Sequence, residues 1–140
     1  MVTYLLDTNV VSELRRPRPH GGVRAWVESS AAEAMYLSVL VLGEIRRGVE
    51  RLRPRDPTQA ESLERWLASL EGGFADRILA IDEVIAHAWG RLDATDPLPP
   101  VDGLLAATAL VNGLTVVTRD TTPFERIGVP YLDPWTYGEP

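Results

Sequence analysis

Four acidic residues stand where a carboxylate is hard to place: Asp7, Glu44, Asp102 and Asp120. Asp7 ends the apolar, β-prone stretch Val2-Thr-Tyr-Leu-Leu6, and Asp120 follows a second such stretch in Thr118-Arg119-Asp120. Glu44 is set in the apolar run Val39-Leu-Val-Leu-Gly-Glu-Ile45, where a free charge is costly. Asp102 opens the apolar segment Val101-Asp-Gly-Leu-Leu-Ala-Ala-Thr-Ala-Leu110. Singly, each has a plain structural explanation. Asp7 can cap a helix, Asp102 can sit in a first helical turn, Asp120 can be a loop residue. Glu44 can pair with Arg47 or Arg51, one and two turns on. Gly103, a poor helix former, points to a close backbone approach beside Asp102.

Taken together the four acids have a narrower chemistry. No histidine, cysteine or lysine accompanies them. Carboxylates gathered alone repel one another and take up protons unless a cation relieves them. Oxygen-only ligation suits Mg²⁺, with Mn²⁺ as a substitute. Such ions activate water and neutralise a phosphoryl group, often as a pair ~4 Å apart. The chemistry is metal-assisted hydrolysis of a phosphodiester or phosphate ester.

Composition narrows the field further. The chain has 140 residues, 45% of them hydrophobic and 24% charged, the make-up of one ordinary domain over 1–140. All 14 basic residues are arginine, which excludes a Walker-type phosphate loop, a Schiff-base enzyme and a serine–lysine hydrolase. Receiver domains and haloacid-dehalogenase phosphatases also gather aspartates at strand ends, but both use a lysine. The absence of cysteine removes disulfides, thiolate zinc and iron–sulfur clusters. His20 and His87 lie far apart. The net charge of −6 excludes wrapping nucleic acid by bulk charge, although residues 1–55 carry an arginine excess. Met1–Leu6 has no charged leader, and no apolar run approaches the ~20 residues of a membrane span, so a cytoplasmic chain is expected.

The elements that must position the acids alternate. Strands are expected at Val2–Leu6, Met35–Val39, Ile78–Ile81, Thr115–Thr118 and Val129–Leu132. Helices are expected over about Val10–Arg15, Val23–Ser29, Leu40–Leu52, Pro57–Leu70, Asp82–Leu92 and Val101–Val111. Gly72-Gly73 should close the fourth helix and Asn112-Gly113 the last. Trp26, Trp66 and Trp89 fall on apolar helix faces and read as core. This alternation implies an α/β fold, a three-layer α/β/α domain with a mostly parallel central sheet of four to five strands. Ligands in such sheets bind beyond the carboxyl ends of the strands, near a topological switch point. If the first and fourth strands are neighbours, Asp7 and Asp120 emerge there together.

Four motifs in order carry a resemblance: Leu5-Leu-Asp-Thr-Asn-Val10, Leu42-Gly-Glu-Ile-Arg-Arg-Gly48, Asp102-Gly-Leu-Leu-Ala-Ala107 and Val117-Thr-Arg-Asp120. With the ending Gly128-Val-Pro-Tyr-Leu-Asp-Pro-Trp135, the chain resembles a PIN domain of the VapC toxin group, in its FitB-like branch. The resemblance implies an Mg²⁺-dependent endoribonuclease, the toxin of a type II toxin–antitoxin pair, which hydrolyses RNA with a metal-activated water and inhibits translation. It makes Asp7, Glu44, Asp102 and Asp120 the metal and catalytic residues, with Asn9 and Thr118 in support. It implies a homodimer, a VapB-type antitoxin that blocks the site, promoter DNA bound through that antitoxin, and structured substrates such as transfer RNA. Many relatives carry Asn at the Asp120 position and an acid before the following Phe; here Pro123 precedes Phe124. Arg47 and Arg51 are the candidates for RNA or antitoxin contact. The competing expectation is a catalytically silent PIN-fold module that binds RNA or antitoxin within a promoter-binding complex.

Overall fold

A computed structural model describes residues 1–139. Five short strands form one parallel sheet: β1 (Tyr4–Leu6), β2 (Met35–Ser38), β3 (Ile78–Leu79), β4 (Thr115–Val117) and β5 (Tyr131–Leu132). Their order is β3-β2-β1-β4-β5. The chain winds one way from β1 through β2 to β3, then crosses back to β4 on the other side. That reversal lies between β1 and β4, paired in the register Tyr4 with Thr115, Leu5 with Val116 and Leu6 with Val117. The topological switch point, where open sheets of this kind bind ligands, therefore lies beyond the ends of these two strands.

Side chains alternate across the sheet and define two cores. Leu6, Leu37 and Val117 meet α1 (Thr8–Arg15), α2 (Gly21–Ser29), α3 (Val39–Leu52) and α4 (Pro57–Gly73). Leu5 and Val116 face the other way, onto α6 (Pro100–Asn112) and α7 (Thr122–Ile127). The fifth helix, α5 (Glu83–Thr95), packs against α6. Helix α3 buries Val41, Ile45 and Val49 along one stripe, which leaves Glu44 at its margin.

The expected elements are present with several differences. The strands are shorter, and Val2 is exposed rather than paired. Gly72 and Gly73 remain helical; α4 is capped by Phe74, whose amide donates to Leu70 O, and Arg77 Nη2 donates to Gly73 O at 3.1 Å. Helix α7 has no counterpart among the expected elements. Its six residues are too few for a periodic signal, yet Pro123 suits its first turn, Gly128 (φ 77°) closes it, and Phe124 anchors it in the core. Among the tryptophans, Trp26 is buried edge-on to Tyr4, whereas Trp66 and Trp89 are half-buried.

Candidate active site

Asp7 follows β1 directly and occupies the N-cap position of α1. Its amide donates to Val117 O at 2.9 Å, so the β1–β4 pairing continues one step into the site. Asp7 is buried, and both its oxygens are engaged: Oδ1 accepts from the Thr8 amide at 2.7 Å and Oδ2 from Thr118 Oγ1 at 2.9 Å. The capping and functional readings of Asp7 are compatible, because the cap holds the carboxylate at the strand end.

Thr118 is fully buried and organises the other side. Its Oγ1 accepts from Asn9 Nδ2 at 3.2 Å and from the Asp120 amide at 3.1 Å. Asn9 Oδ1 in turn accepts from the Arg119 amide at 3.3 Å. The turn after β4 is thereby tied to the start of α1, and Asp120 is exposed at its tip.

Glu44 projects from the second turn of α3 and is half-buried. Thr8 Oγ1 donates to its Oε1 at 2.6 Å. Arg47 Nη2 stands 3.7 Å from Oε2, a loose contact from a mostly exposed side chain. Nothing in the sequence patterning singles out Thr8, although it stands between Asp7 and Asn9; its amide serves Asp7 while its hydroxyl serves Glu44. Arg51 forms no ion pair with Glu44 among the described residues.

Asp102 lies in the first turn of α6, half-buried. Next to it, a Cβ on Gly103 would lie 3.0 Å from Trp89 Nε1 and 3.1 Å from Cδ1. The glycine lets the indole of α5 press onto the α6 backbone, the close approach anticipated there. Trp89 Nε1 is shut off from solvent and has no acceptor among the described residues.

The four carboxylates share one electrostatic neighbourhood. Burial pushes Asp102 above its usual range, and the charges of Asp7, Asp120 and Glu44 raise it further. Asp7 is likewise raised, chiefly by burial; hydrogen bonds from Thr118 and Thr8 oppose the shift, and Glu44 and Asp120 add to it. Among the described residues, no three acidic or histidine side chains are gathered tightly enough to hold an ion as they stand. The donor set nevertheless fits a hard divalent cation. It consists of oxygen only, and its negative charge lacks any close basic partner except the loose Arg47 contact.

A PIN-domain family model matches residues 4–130. The chain belongs to the PIN-domain family. It is 38% identical over 138 residues to Toxin FitB of Neisseria gonorrhoeae, covering 94% of this chain and 97% of that protein. It is 33% identical over 136 residues to VapC ribonuclease Y4jK of Sinorhizobium fredii, covering 94% and 96%. Among solved structures it is similar to FitAcB from Neisseria gonorrhoeae, with a TM-score of 0.86, 38% identity, and 95% and 99% of the two chains covered. A structure of FitAB bound to an IR36 DNA fragment matches with a TM-score of 0.85 and 36% identity, covering 95% and 96%. The PIN domain here is thus of the VapC and FitB toxin kind. No helix among the described residues is long and apolar enough to cross a membrane.

Proposed function

We propose that the chain is an Mg²⁺-dependent endoribonuclease, the toxin of a VapBC-type pair, which hydrolyses RNA phosphodiester bonds and so inhibits translation. The observation that carries this reading is the oxygen-only group of Asp7, Glu44, Asp102 and Asp120, electrostatically coupled at the β1–β4 switch point. Kinship with proteins named toxin and ribonuclease supports it.

Asp7, Glu44, Asp102 and Asp120 would hold Mg²⁺ or Mn²⁺. When bound, the cation supplies charge neutralisation at the phosphoryl group and a lowered pKa for water. Asp7 is the most rigid member, fixed at a strand end by two hydrogen bonds. Glu44 and Asp102, on separate helices, complete the oxygen set or orient the attacking water. Asn9 and Thr118 hold the Asp7 and Asp120 loops together. The leaving group is the ribose 3′-oxygen. Arg47, beside Glu44, is suited to a phosphate or an antitoxin carboxylate, and Arg51 extends its row toward the end of α3.

The FitAB structure bound to an IR36 DNA fragment supports a protein partner and a DNA-binding complex. The proposal makes that partner a VapB-type antitoxin that carries promoter DNA, and the toxin a homodimer. Structured RNA, transfer RNA in particular, is the proposed substrate. The test is to incubate partner-free protein with a transfer-RNA pool in Mg²⁺, in Mn²⁺ and in chelator, with Asp7→Asn alongside. Metal-dependent cuts at defined positions, absent from the variant, are expected. No cutting by the wild type with either metal, together with undiminished RNA binding, would favour the silent binding module instead.

A further inference from the structure

Beside Asp120, outside the carboxylate cluster, lies a recess of about 300 Å³ lined by Glu13, Arg16, Arg18, His20, Arg119 and Trp135. Three arginines face one carboxylate there, on a chain whose net charge is −6. Glu13 offsets only Arg16. Its Oε2 accepts from the His20 amide at 2.9 Å and its Oε1 from Arg16 at 3.3 Å, so both oxygens serve to hold the 16–20 loop. Arg18 and Arg119 form no ion pair among the described residues, and both are exposed.

The walls of the recess are locked together. A Cβ on Gly22 would lie 2.7 Å from Pro134 O and 3.0 Å from Trp135 O, so the start of α2 and the Pro134–Thr136 turn interlock. Asp133 Oδ1 accepts from the Trp135 amide at 2.9 Å. His20 Nδ1 accepts from the Gly22 amide at 3.1 Å, which leaves Nε2 to carry the ring proton. The Arg119 guanidinium lies 5.1 Å over the Trp135 ring, a planar cation on an aromatic face. The Arg119 amide is the one bonded to Asn9, so this platform moves with the loop that carries Asp120.

We propose that this recess takes an RNA nucleotide flanking the one that is cut, with its phosphate among Arg16, Arg18 and Arg119 and its base on the Arg119–Trp135 face. The proposal rests on the nuclease reading and names where the strand is gripped. An acidic protein cannot hold a polyanion by bulk charge, so the grip has to be local. Splayed single-stranded bases stack on aromatic rings and on guanidinium planes, and an arginine fork suits a phosphate. Arg47 and Arg51 flank Glu44 on α3; the recess flanks Asp120, giving a strand laid over the carboxylates a second hold.

The test is the affinity of full-length protein for a labelled single-stranded RNA in chelator, between about 50 and about 200 mM salt. Arg18→Ala and Arg119→Ala should each weaken binding about fivefold or more and flatten the log–log salt slope by roughly 0.7 for each phosphate no longer gripped. Arg119→Lys should restore the slope but not the affinity, because an ammonium keeps the charge and loses the plane. Arg24→Ala, an exposed charge-matched change on α2, should leave the slope unchanged. Wild-type binding with unchanged slope and affinity in Arg18→Ala and Arg119→Ala would overturn the recess alone, and would leave it to a protein partner. A wild type with no measurable RNA affinity in chelator and none in Mg²⁺ would overturn the nuclease reading and the recess with it.

Discussion

Thr118 donates its hydroxyl hydrogen to Asp7 Oδ2 at 2.9 Å across the seam between β1 and β4, and its neighbours fix the direction of that bond. Asn9 Nδ2 and the Asp120 amide occupy both lone pairs of the same oxygen. Its single hydrogen is left for the carboxylate. Asn9 cannot be turned over, because its Oδ1 is needed by the Arg119 amide. One buried hydroxyl therefore sets both the Asp7 carboxylate and the loop that carries Asp120.

Thr118→Val keeps the shape of this residue and removes its hydrogen bonding. The variant should lose about 1–3 kcal/mol in urea unfolding, since the buried Asp7 carboxylate, Asn9 Nδ2 and the Asp120 amide are left without their shared partner. RNA cleavage should fall at conditions where the variant is still folded. Thr118→Ser, which keeps the hydroxyl, should recover both properties.

Asp102→Asn should stabilise the protein in chelator at neutral pH while abolishing cleavage. Asp102 is raised in the folded state by burial and by three other carboxylates, so the folded state holds its proton longer than the unfolded chain. Stability contributed by that protonation is lost as pH rises from 3.8 through the raised value, and an amide escapes the loss. Thermal melting should show a higher midpoint for the variant without cation. Added Mg²⁺ should raise the wild-type midpoint more than that of the variant.

Gly103→Ala should be disproportionately harmful for so small a change. The new methyl would press on the Trp89 pyrrole edge at 3.0–3.1 Å, which forces α5 and α6 apart next to Asp102. A cost of about 1–3 kcal/mol is expected from such overpacking, with a loss of cation affinity measured by titration. Combining it with Trp89→Leu should recover cation affinity by making room. A double variant no better than Gly103→Ala would show that Trp89 does not position Asp102.

Glu13 gives the opposite pH dependence. Its carboxylate is held below the usual glutamate range, first by the His20 amide and also by Arg16. The stabilisation is present above about 4.5 and disappears as pH falls through the lowered folded value. Glu13→Gln should cost about 1–2 kcal/mol in denaturant unfolding at pH ~7 and much less in strong acid.

Two of the acids stand out in the sequence because they break a local rule, Glu44 inside an apolar run and Asp7 at the end of a buried strand; Asp102 and Asp120 gain weight only beside them. A charge inside an apolar run, or at the end of a buried strand, needs a reason that folding alone supplies only one residue at a time. Strand alternation then sets the edge, and the adjacency of β1 and β4 brings Asp7 and Asp120 together. Gly103 likewise announces a close approach, although its partner Trp89, on another helix, cannot be named from spacing. Helix α7 is hidden by its length, and Thr8 by its resemblance to a mere turn residue. The recess at Arg119 is built from α1, the 16–20 loop and the Pro134–Thr136 turn, segments with no shared period in the sequence.

The most direct test of the carboxylate centre is the chemistry of the ends it leaves on RNA. Attack by water with departure of the ribose 3′-oxygen gives a 5′-phosphate and a 3′-hydroxyl. Wild-type protein in Mg²⁺ should produce those ends, and neither chelator-treated protein nor Asp7→Asn should produce any. A 2′,3′-cyclic phosphate, or 5′-phosphate ends that persist in both Asp7→Asn and chelator, would contradict hydrolysis by this site.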